Sequence, residues 1–429
     1  MAKQLVRFGV VADVQYADSD DRPAWYDPSK TRYYRNALNQ VRKAYDQWIG
    51  SSGCSGSSDS QVLSTDQQMI DNYSNNFNKK IGFVLQLGDI IDGLNANSQE
   101  AHDSSLRAIR RTLNQFECHK TIPAFHTVGN HELYNFTRKE LAELFRDSLF
   151  KKLKVDSDSI GLNELKLLPD RCSTGSTDSD DMLLYYKFYP QPGLKLISLD
   201  CFDISVLGHE PTHPKYQLAA DILARYHGCR DMDVWDTETR LVGPDRRYQA
   251  SNGAISREQI QWLDEELAES DSMGELVIVF GHVGLHPGSS DWNTVCWNYD
   301  EVVDCFNRHR SVVGYLSGHS HSSGYTLANG VHYITFHGIV ETPPDTEAFA
   351  SVSVYEDRLV IEGYGYEKSR VLPFSRLTSG SGGGGGNEIA DEINVNNNNT
   401  NNNLIQQTID DLANNMEDMS INTTVKVEV

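Results

Sequence analysis

The side chains most able to do chemistry stand at the ends of hydrophobic runs. Val84-Leu85-Gln86-Leu87 stops at Gly88 and then delivers Asp89 and Asp92. Phe8 to Ala12 ends in Asp13-Val14-Gln15, and Ala124 to Val128 leads into Gly129-Asn130-His131-Glu132. Leu276 to Phe280 runs into Gly281-His282, and Val312 to Leu316 into Ser317-Gly318-His319-Ser320-His321. These tails offer carboxylate, carboxamide and imidazole but no thiolate, a donor set suited to a borderline-hard divalent cation such as Mn²⁺, Fe²⁺, Zn²⁺ or Mg²⁺. Apolar runs of this length read as buried parallel strands, and ligands bind just beyond the carboxyl ends of such strands.

Taken in chain order, the blocks resemble the calcineurin-like metallophosphoesterase superfamily, whose pattern is D-x-H, G-D-x-x-D, G-N-H-[DE], G-H and G-H-x-H. The first imidazole of that pattern is replaced here by Gln15. With D-x-Q and a following Tyr, the chain is similar to the manganese-dependent ADP-ribose/CDP-alcohol diphosphatases within the superfamily. Arg32-Tyr33-Tyr34-Arg35, Leu133-Tyr134-Asn135-Phe136, Trp297-Asn298-Tyr299 and Gly338 to Asp345 carry the same likeness.

The resemblance implies a four-layer α/β/β/α sandwich and two divalent ions, Mn²⁺ first and Mg²⁺ as the alternative. It places one ion with Asp13, Gln15, Asp89 and His321, and the other with Asp89, Asn130, His282 and His319, so that Asp89 is shared. His131 would act on the phosphate or the leaving group, and Asp92 would orient it. The implied reaction cuts the diphosphate of ADP-ribose to AMP and ribose 5-phosphate, and that of CDP-alcohols to CMP and a phosphoalcohol. The alternatives are another phosphodiesterase or a protein phosphatase of the superfamily, or an interaction module that has lost its metals. For the nucleoside, Cys296-Trp297-Asn298 could form an aromatic and amide wall, or simply begin a buried helix.

The elements between the blocks alternate in period. Tyr34, Leu38, Val41, Tyr45 and Trp48 make one face of a helix over residues ~30–49, and Leu106, Ile109, Leu113 and Phe116 one face of a helix over 98–116. Arg32 and Arg35 at the first helix start could reach a phosphate or be solvated. Leu183 to Tyr189 and Leu194 to Asp200 read as a hairpin. Asp200 and Asp203 after it suit turn roles or a substrate contact. Ser256 opens a further helix, Tyr299 to Phe306 another, and 331–336, 350–355 and 358–361 read as closing antiparallel strands.

The 429-residue chain is expected to hold one metallophosphoesterase domain over 1–377, with a low-complexity insertion at 51–80 and a Gly- and Asn-rich disordered tail at 378–429. Its hydrophobic share of 39% falls below the usual ~45–50%, and the deficit sits in the insertion and the tail. In the tail, Ile405, Ile409, Leu412, Met416 and Met419 repeat at heptad spacing over too few turns for a coiled coil. A formal charge of −22 argues against nucleic acid or an anionic membrane as partner, and the resemblance implies nucleoside diphosphate-linked small molecules. Seven cysteines without C-x-x-C spacing, and no apolar leader or spanning run, predict a cytoplasmic protein, expected to be a monomer.

Overall fold

The computed structural model describes residues 2–50, 80–97, 100–118, 122–153, 184–235 and 241–375. Residues 51–79 of the expected insertion, and the expected tail with its heptad-spaced residues, lie outside these. The strands are β1 (Gln4–Val11), β2 (Arg22–Pro23), β3 (Thr31–Arg32), β4 (Phe83–Gln86), β5 (Ala124–His126), β6 (Tyr186–Gln191) and β7 (Leu194–Ser198). They continue as β8 (Leu276–Phe280), β9 (Val312–Ser317), β10 (Gly324–Ala328), β11 (Val331–Thr335), β12 (Ala348–Tyr355), β13 (Arg358–Gly365) and β14 (Arg370–Pro373). The helices are α1 (Ala37–Ile49), α2 (Ala101–Glu117), α3 (Asn130–Asn135), α4 (Arg138–Leu153), α5 (Pro214–His227), α6 (Met232–Trp235), α7 (Arg257–Met273) and α8 (Tyr299–Arg308).

Two six-stranded sheets carry the molecule, in the orders β14-β13-β12-β1-β4-β5 and β10-β11-β9-β8-β7-β6. Because side chains alternate along a strand, each central strand feeds two cores. Phe8, Val10, Phe83 and Leu85 of the first sheet meet Phe188, Leu196, Ile278 and Phe280 of the second, with Phe125 stacked on Phe188 at a ring-centroid distance of 3.8 Å. Val11, Val84, Val277 and Val279 face the other way, into a second cluster with Val41 and Trp48 of α1, Leu113 and Phe116 of α2, and Leu263 and Leu267 of α7. Helices therefore cover the outer faces, giving the expected α/β/β/α layering.

β1, β4 and β5 are mutually parallel, as are β7, β8, β9 and β11. The loops after β1, β4 and β5 thus leave one sheet at a common end, and those after β8 and β9 leave the other. α1 begins at Ala37 rather than near residue 30, because Thr31 and Arg32 pair with Arg22 and Pro23 in a small hairpin. Ser256 caps α7 as expected, accepting from the Gln259 amide at 3.2 Å. α5 was not anticipated; Pro214 at its first position, capped by His213, is the signal in the sequence. Among the described residues no helix is long and apolar enough to cross a membrane.

Candidate metal centre

The strand ends are stitched together by their backbones before any side chain contributes. Asp13 N donates to Gly88 O (3.2 Å), Gln15 N to Asp89 O (2.8 Å), Gly318 N to His282 O (3.0 Å), and Val340 N to Asp13 O (3.0 Å). His319 N donates to both Asp13 carboxylate oxygens at 3.2 and 3.0 Å. The chain bends sharply to do this: Asp13, Gln15, Asp89, His319 and His321 all have φ between 43° and 67°. Left-handed backbone at non-glycine residues costs of order 1–3 kcal/mol each and gathers where function demands it. Two motif glycines are needed for close approach. A Cβ on Gly129 would lie 2.0 Å from Asp89 Oδ1, and one on Gly88 (φ 89°) 2.4 Å from His282 Nδ1.

Seven of the residues named from sequence converge into two groups that share one member. His321 Nε2 lies 3.3 Å from Asp13 Oδ1, while Gln15 Nε2 is 2.9 Å from both Asp89 Oδ2 and His321 Nε2. His282 Nε2 lies 3.3 Å from Asp89 Oδ2, 3.1 Å from Asn130 Oδ1 and 3.1 Å from His319 Nδ1. Ligating atoms of Asp13, Asp89 and His321 fall within 4.8 Å of one another, as do those of Asp89, His282 and His319. Asp89 belongs to both groups. Gln15 Oε1 is buried with no hydrogen-bond partner. Turning the amide over would put that oxygen between Asp89 and His321, where a cation would satisfy it. Oxygen and imidazole donors, a shared carboxylate and an orphaned buried oxygen fit a pair of divalent ions.

The electrostatics agree. Burial opposes ionisation of Asp89, yet the His282 and His131 imidazoles beside it hold its carboxyl far below the usual range. Against the cost of burial, Asp89 raises His282 to about 9, and Asp13 with Glu341 raises His321 to about 9. Negative charge at this site therefore calls for cations, and protons take the role where metals do not. Behind the site, buried Glu132 accepts N–H groups from Asp89 (2.9 Å), Ile91 (3.3 Å), Gly129 (2.7 Å) and, still closer, Ile90. It pins the turn that presents Asp89, although burial and the Asp89 charge push it up to about 8.

His131 stands beside these groups, its Nε2 3.9 Å from Asp89 Oδ2. Its Nδ1 accepts the Gly93 N–H at 2.9 Å, and burial pushes its pKa down, so Nε2 carries the proton of a neutral ring. Asp92 Oδ2 lies 3.4 Å from that same Nδ1 but also pairs with Arg32 Nη1 at 3.2 Å. The ring's hydrogen bond thus comes from the Gly93 backbone, while Asp92 Oδ1 accepts the Leu94 N–H (2.9 Å) in the same turn. Together these groups floor a cavity of about 370 Å³, with Trp25, Tyr26, Lys30 and Arg32 of the β2–β3 hairpin on one wall and Gln249, Ser251, Asn293 and Thr294 on another.

Arg32 thus reaches the cavity, whereas Arg35 points outward and pairs with Asp18 and Asp20. Asp200 and Asp203 keep to structural roles, held by Arg138 and by Lys215 respectively. The expectation for Cys296, Trp297 and Asn298 is not met: all three are buried and none lines the cavity. They support it indirectly, since Trp297 N donates to Gly253 O (2.9 Å), Trp297 Nε1 to Gln249 O (3.1 Å), and Asn298 brackets Ile255. A residue that sequence reasoning missed is Glu341. Its Oε1 takes the Tyr26 hydroxyl and lies 2.9 Å from His321 Nδ1, and its Oε2 is 3.3 Å from Lys30. Glu341 falls in a stretch already singled out, Gly338 to Asp345, but nothing local marks its contact with His321. A third cluster, Asp264, Cys305 and His309, is already satisfied by Arg308, whose Nη2 lies 2.6 Å from Asp264 Oδ1.

Residues 6–323 match the family model for calcineurin-like phosphoesterases. A manganese-dependent ADP-ribose/CDP-alcohol diphosphatase of Xenopus laevis is 34% identical over 376 residues, covering 87% of this chain and 92% of that protein. The Homo sapiens protein of the same name is 30% identical, covering 87% and 94%, and the Arabidopsis thaliana one 31%, covering 84% and 94%. Among solved structures, a dimetal phosphatase from Danio rerio superposes with a TM-score of 0.68 at 29% identity, covering 87% of this chain and all of that one. The matched span takes in every strand end that meets at Asp89, and on that evidence this chain belongs to the calcineurin-like phosphoesterase family.

Proposed function

We propose that residues 1–377 form a dinuclear-metal hydrolase that cleaves the diphosphate of ADP-ribose, to AMP and ribose 5-phosphate, and of CDP-alcohols, to CMP and a phosphoalcohol. The observation that carries this reading is the pair of donor groups sharing Asp89 on the floor of a cavity with two cationic side chains on its wall. The relatives' names supply the substrates, and Mn²⁺ is the ion they specify. A volume of about 370 Å³ lies in the range for small-molecule sites.

In this reading Asp13, Gln15, Asp89 and His321 hold one ion, and Asp89, Asn130, His282 and His319 the other. Bound there, the ions supply Lewis-acid polarisation of a phosphoryl oxygen and acidify water. The chain's own groups do the rest. Hydrolysis joins a water oxygen to phosphorus and breaks the bond to the departing phosphomonoester. That leaving group is stable as an anion, so it needs a hydrogen bond more than a full proton. His131 Nε2–H provides one, in a ring held by the Gly93 N–H, and Asp92 would orient it through the turn whose Leu94 N–H it accepts. Lys30 and Arg32 offset the negative charge of the diphosphate. Arg32 acts there through its charge, since its Nη1 pairs with Asp92 at 3.2 Å and its buried Nε lies 3.8 Å from Glu341 Oε1.

The reading includes a cytoplasmic monomer: the five described cysteines are free thiols, and apart from the adjacent Trp25 and Tyr26 at the cavity the exposed large apolar residues are scattered. The test is to profile purified, Mn²⁺-loaded protein against ADP-ribose, CDP-choline, cyclic nucleotides and a phosphopeptide. Turnover of the first two to nucleoside monophosphate supports the proposal. Exclusive turnover of a cyclic nucleotide or phosphopeptide would replace it with another phosphoesterase activity.

A further inference from the structure

His282, His319 and His321 each turn one ring nitrogen toward the centre and the other toward an outer acceptor, and those acceptors differ. His282 Nδ1 lies 2.7 Å from the Leu87 carbonyl, His321 Nδ1 2.9 Å from the Glu341 carboxylate, and His319 Nε2 2.7 Å from Asn252 Oδ1. A carbonyl or carboxylate only accepts, so the first two rings must donate from Nδ1 and turn Nε2 inward. A carboxamide can do either, so the His319 contact needs a further argument.

The surroundings of Asn252 supply it. Its Nδ2 lies 2.8 Å from Arg247 O and 2.9 Å from Asn293 O, two backbone acceptors that only an NH₂ group can satisfy together. The amide therefore cannot be turned over, and Oδ1 faces His319. His319 Nε2 must carry a proton to meet it, which leaves Nδ1 with a free lone pair 3.1 Å from His282 Nε2. Asn252 is fully buried, and its loop is rigidly held. Ile204 and Ala254 exchange two backbone hydrogen bonds of 2.9 Å, Trp297 N donates to Gly253 O, and a Cβ on Gly253 would lie 2.5 Å from Cys201 O.

We propose that Asn252 is the positioning residue that fixes His319 as its Nε2–H tautomer and thereby presents Nδ1 to the second metal position. The inference rests on reading His319 as a ligand, and it adds an outer-shell residue 67 positions away in sequence. Outer partners of metal-bound histidines set ring orientation and basicity, and losing one typically costs about 10–100-fold in metal affinity. Cys296, Trp297 and Asn298 enter the site through this route, as the braces of the loop that carries Asn252.

The test titrates metal-stripped wild type, Asn252→Leu and Asn252→Asp with Mn²⁺, following free Mn²⁺ by electron paramagnetic resonance and folding by thermal melting. Asn252→Leu removes the acceptor and the anchor together, and its second ion should bind about 10–100-fold more weakly while the first is unchanged. Asn252→Asp keeps an acceptor for His319 but sets an oxygen against Arg247 O and Asn293 O, so it should lose thermal stability yet retain the second ion. Equal weakening in the two variants would reduce Asn252 to a loop anchor, and unchanged binding in Asn252→Leu would refute the proposal outright. Fewer than two ions in wild type would overturn the ligand reading beneath it. Independent of any variant, long-range ¹H–¹⁵N correlation on Mg²⁺-loaded, ¹⁵N-histidine protein should show His319 protonated at Nε2; an Nδ1–H tautomer would contradict the proposal.

Discussion

Asp89→Asn replaces one carboxylate oxygen with an NH₂ group and should abolish turnover. Asparagine keeps an oxygen to accept the His131 amide, which lies 2.9 Å from Asp89 Oδ1, and the turn remains pinned by the four backbone N–H groups on Glu132. What disappears is a buried unit charge shared by both donor groups. At an effective dielectric of about 20, a unit charge within about 4 Å of a cationic centre is worth about 4 kcal/mol. Spent on one ion alone, that loss lowers kcat/KM about a thousandfold, and a shared ligand makes it a lower bound. The assay is ADP-ribose hydrolysis at saturating Mn²⁺, with bound metal counted after gel filtration. Thermal melting adds a second readout, since an ion at a hundred times its Kd stabilises the fold by about 2.7 kcal/mol. Wild type should show that gain and Asp89→Asn should lose most of it. A variant with near-wild-type kcat/KM and unchanged metal content would refute the bridge.

Three further perturbations probe separate parts of the account. His131→Ala should lower kcat about a hundred- to thousandfold, the usual loss for one transition-state hydrogen-bond donor, with two ions still bound by elemental analysis; loss of an ion would move His131 into the ligand set. Gln15→His replaces a neutral oxygen donor with an imidazole, so dialysed protein should keep its metal longer and accept Zn²⁺ or Co²⁺ more readily. Identical retention and metal preference would mean that Gln15 does not ligate. Glu367→Gln tests a buried carboxyl outside the centre that burial pushes up to about 7, even as it accepts the His337 amide and the Ser323 hydroxyl. Its folded-state pKa is raised, so its stabilising effect is full below about pH 4.5 and lost as pH rises through 7. The variant should therefore match wild type at pH 4.5 and be more stable at pH 8, by about 3 kcal/mol at most. A stability difference independent of pH would show that Glu367 is not the titrating group.

The convergence at the centre was legible in sequence because each proposed ligand follows its strand directly, so a local pattern of apolar run, glycine and donor recorded it. The layered fold was legible for a similar reason: Phe8 and Val10 against Val11, or Ile278 and Phe280 against Val277 and Val279, sort by period two onto opposite faces. The outer contacts left no such trace. Glu341 meets His321 across 20 positions and Asn252 meets His319 across 67, each through an ordinary polar residue in a loop. The β2–β3 hairpin was read as the start of α1 because Tyr34 fits the helical face, while tertiary pairing of Arg22 with Arg32 decided otherwise. Cys296-Trp297-Asn298 misled for the opposite reason: an aromatic and an amide near a metal ligand suggest recognition, but their polar atoms are used up in holding the neighbouring loop.

Anomalous diffraction at the manganese edge, from crystals of the intact protein soaked in Mn²⁺, tests the central claim most directly. The account predicts two peaks about 3.5–4 Å apart on either side of Asp89. One should lie at coordination distance from Asp13, Gln15 and His321, the other from Asn130, His282 and His319. A single peak, or two peaks that do not share Asp89, would contradict it.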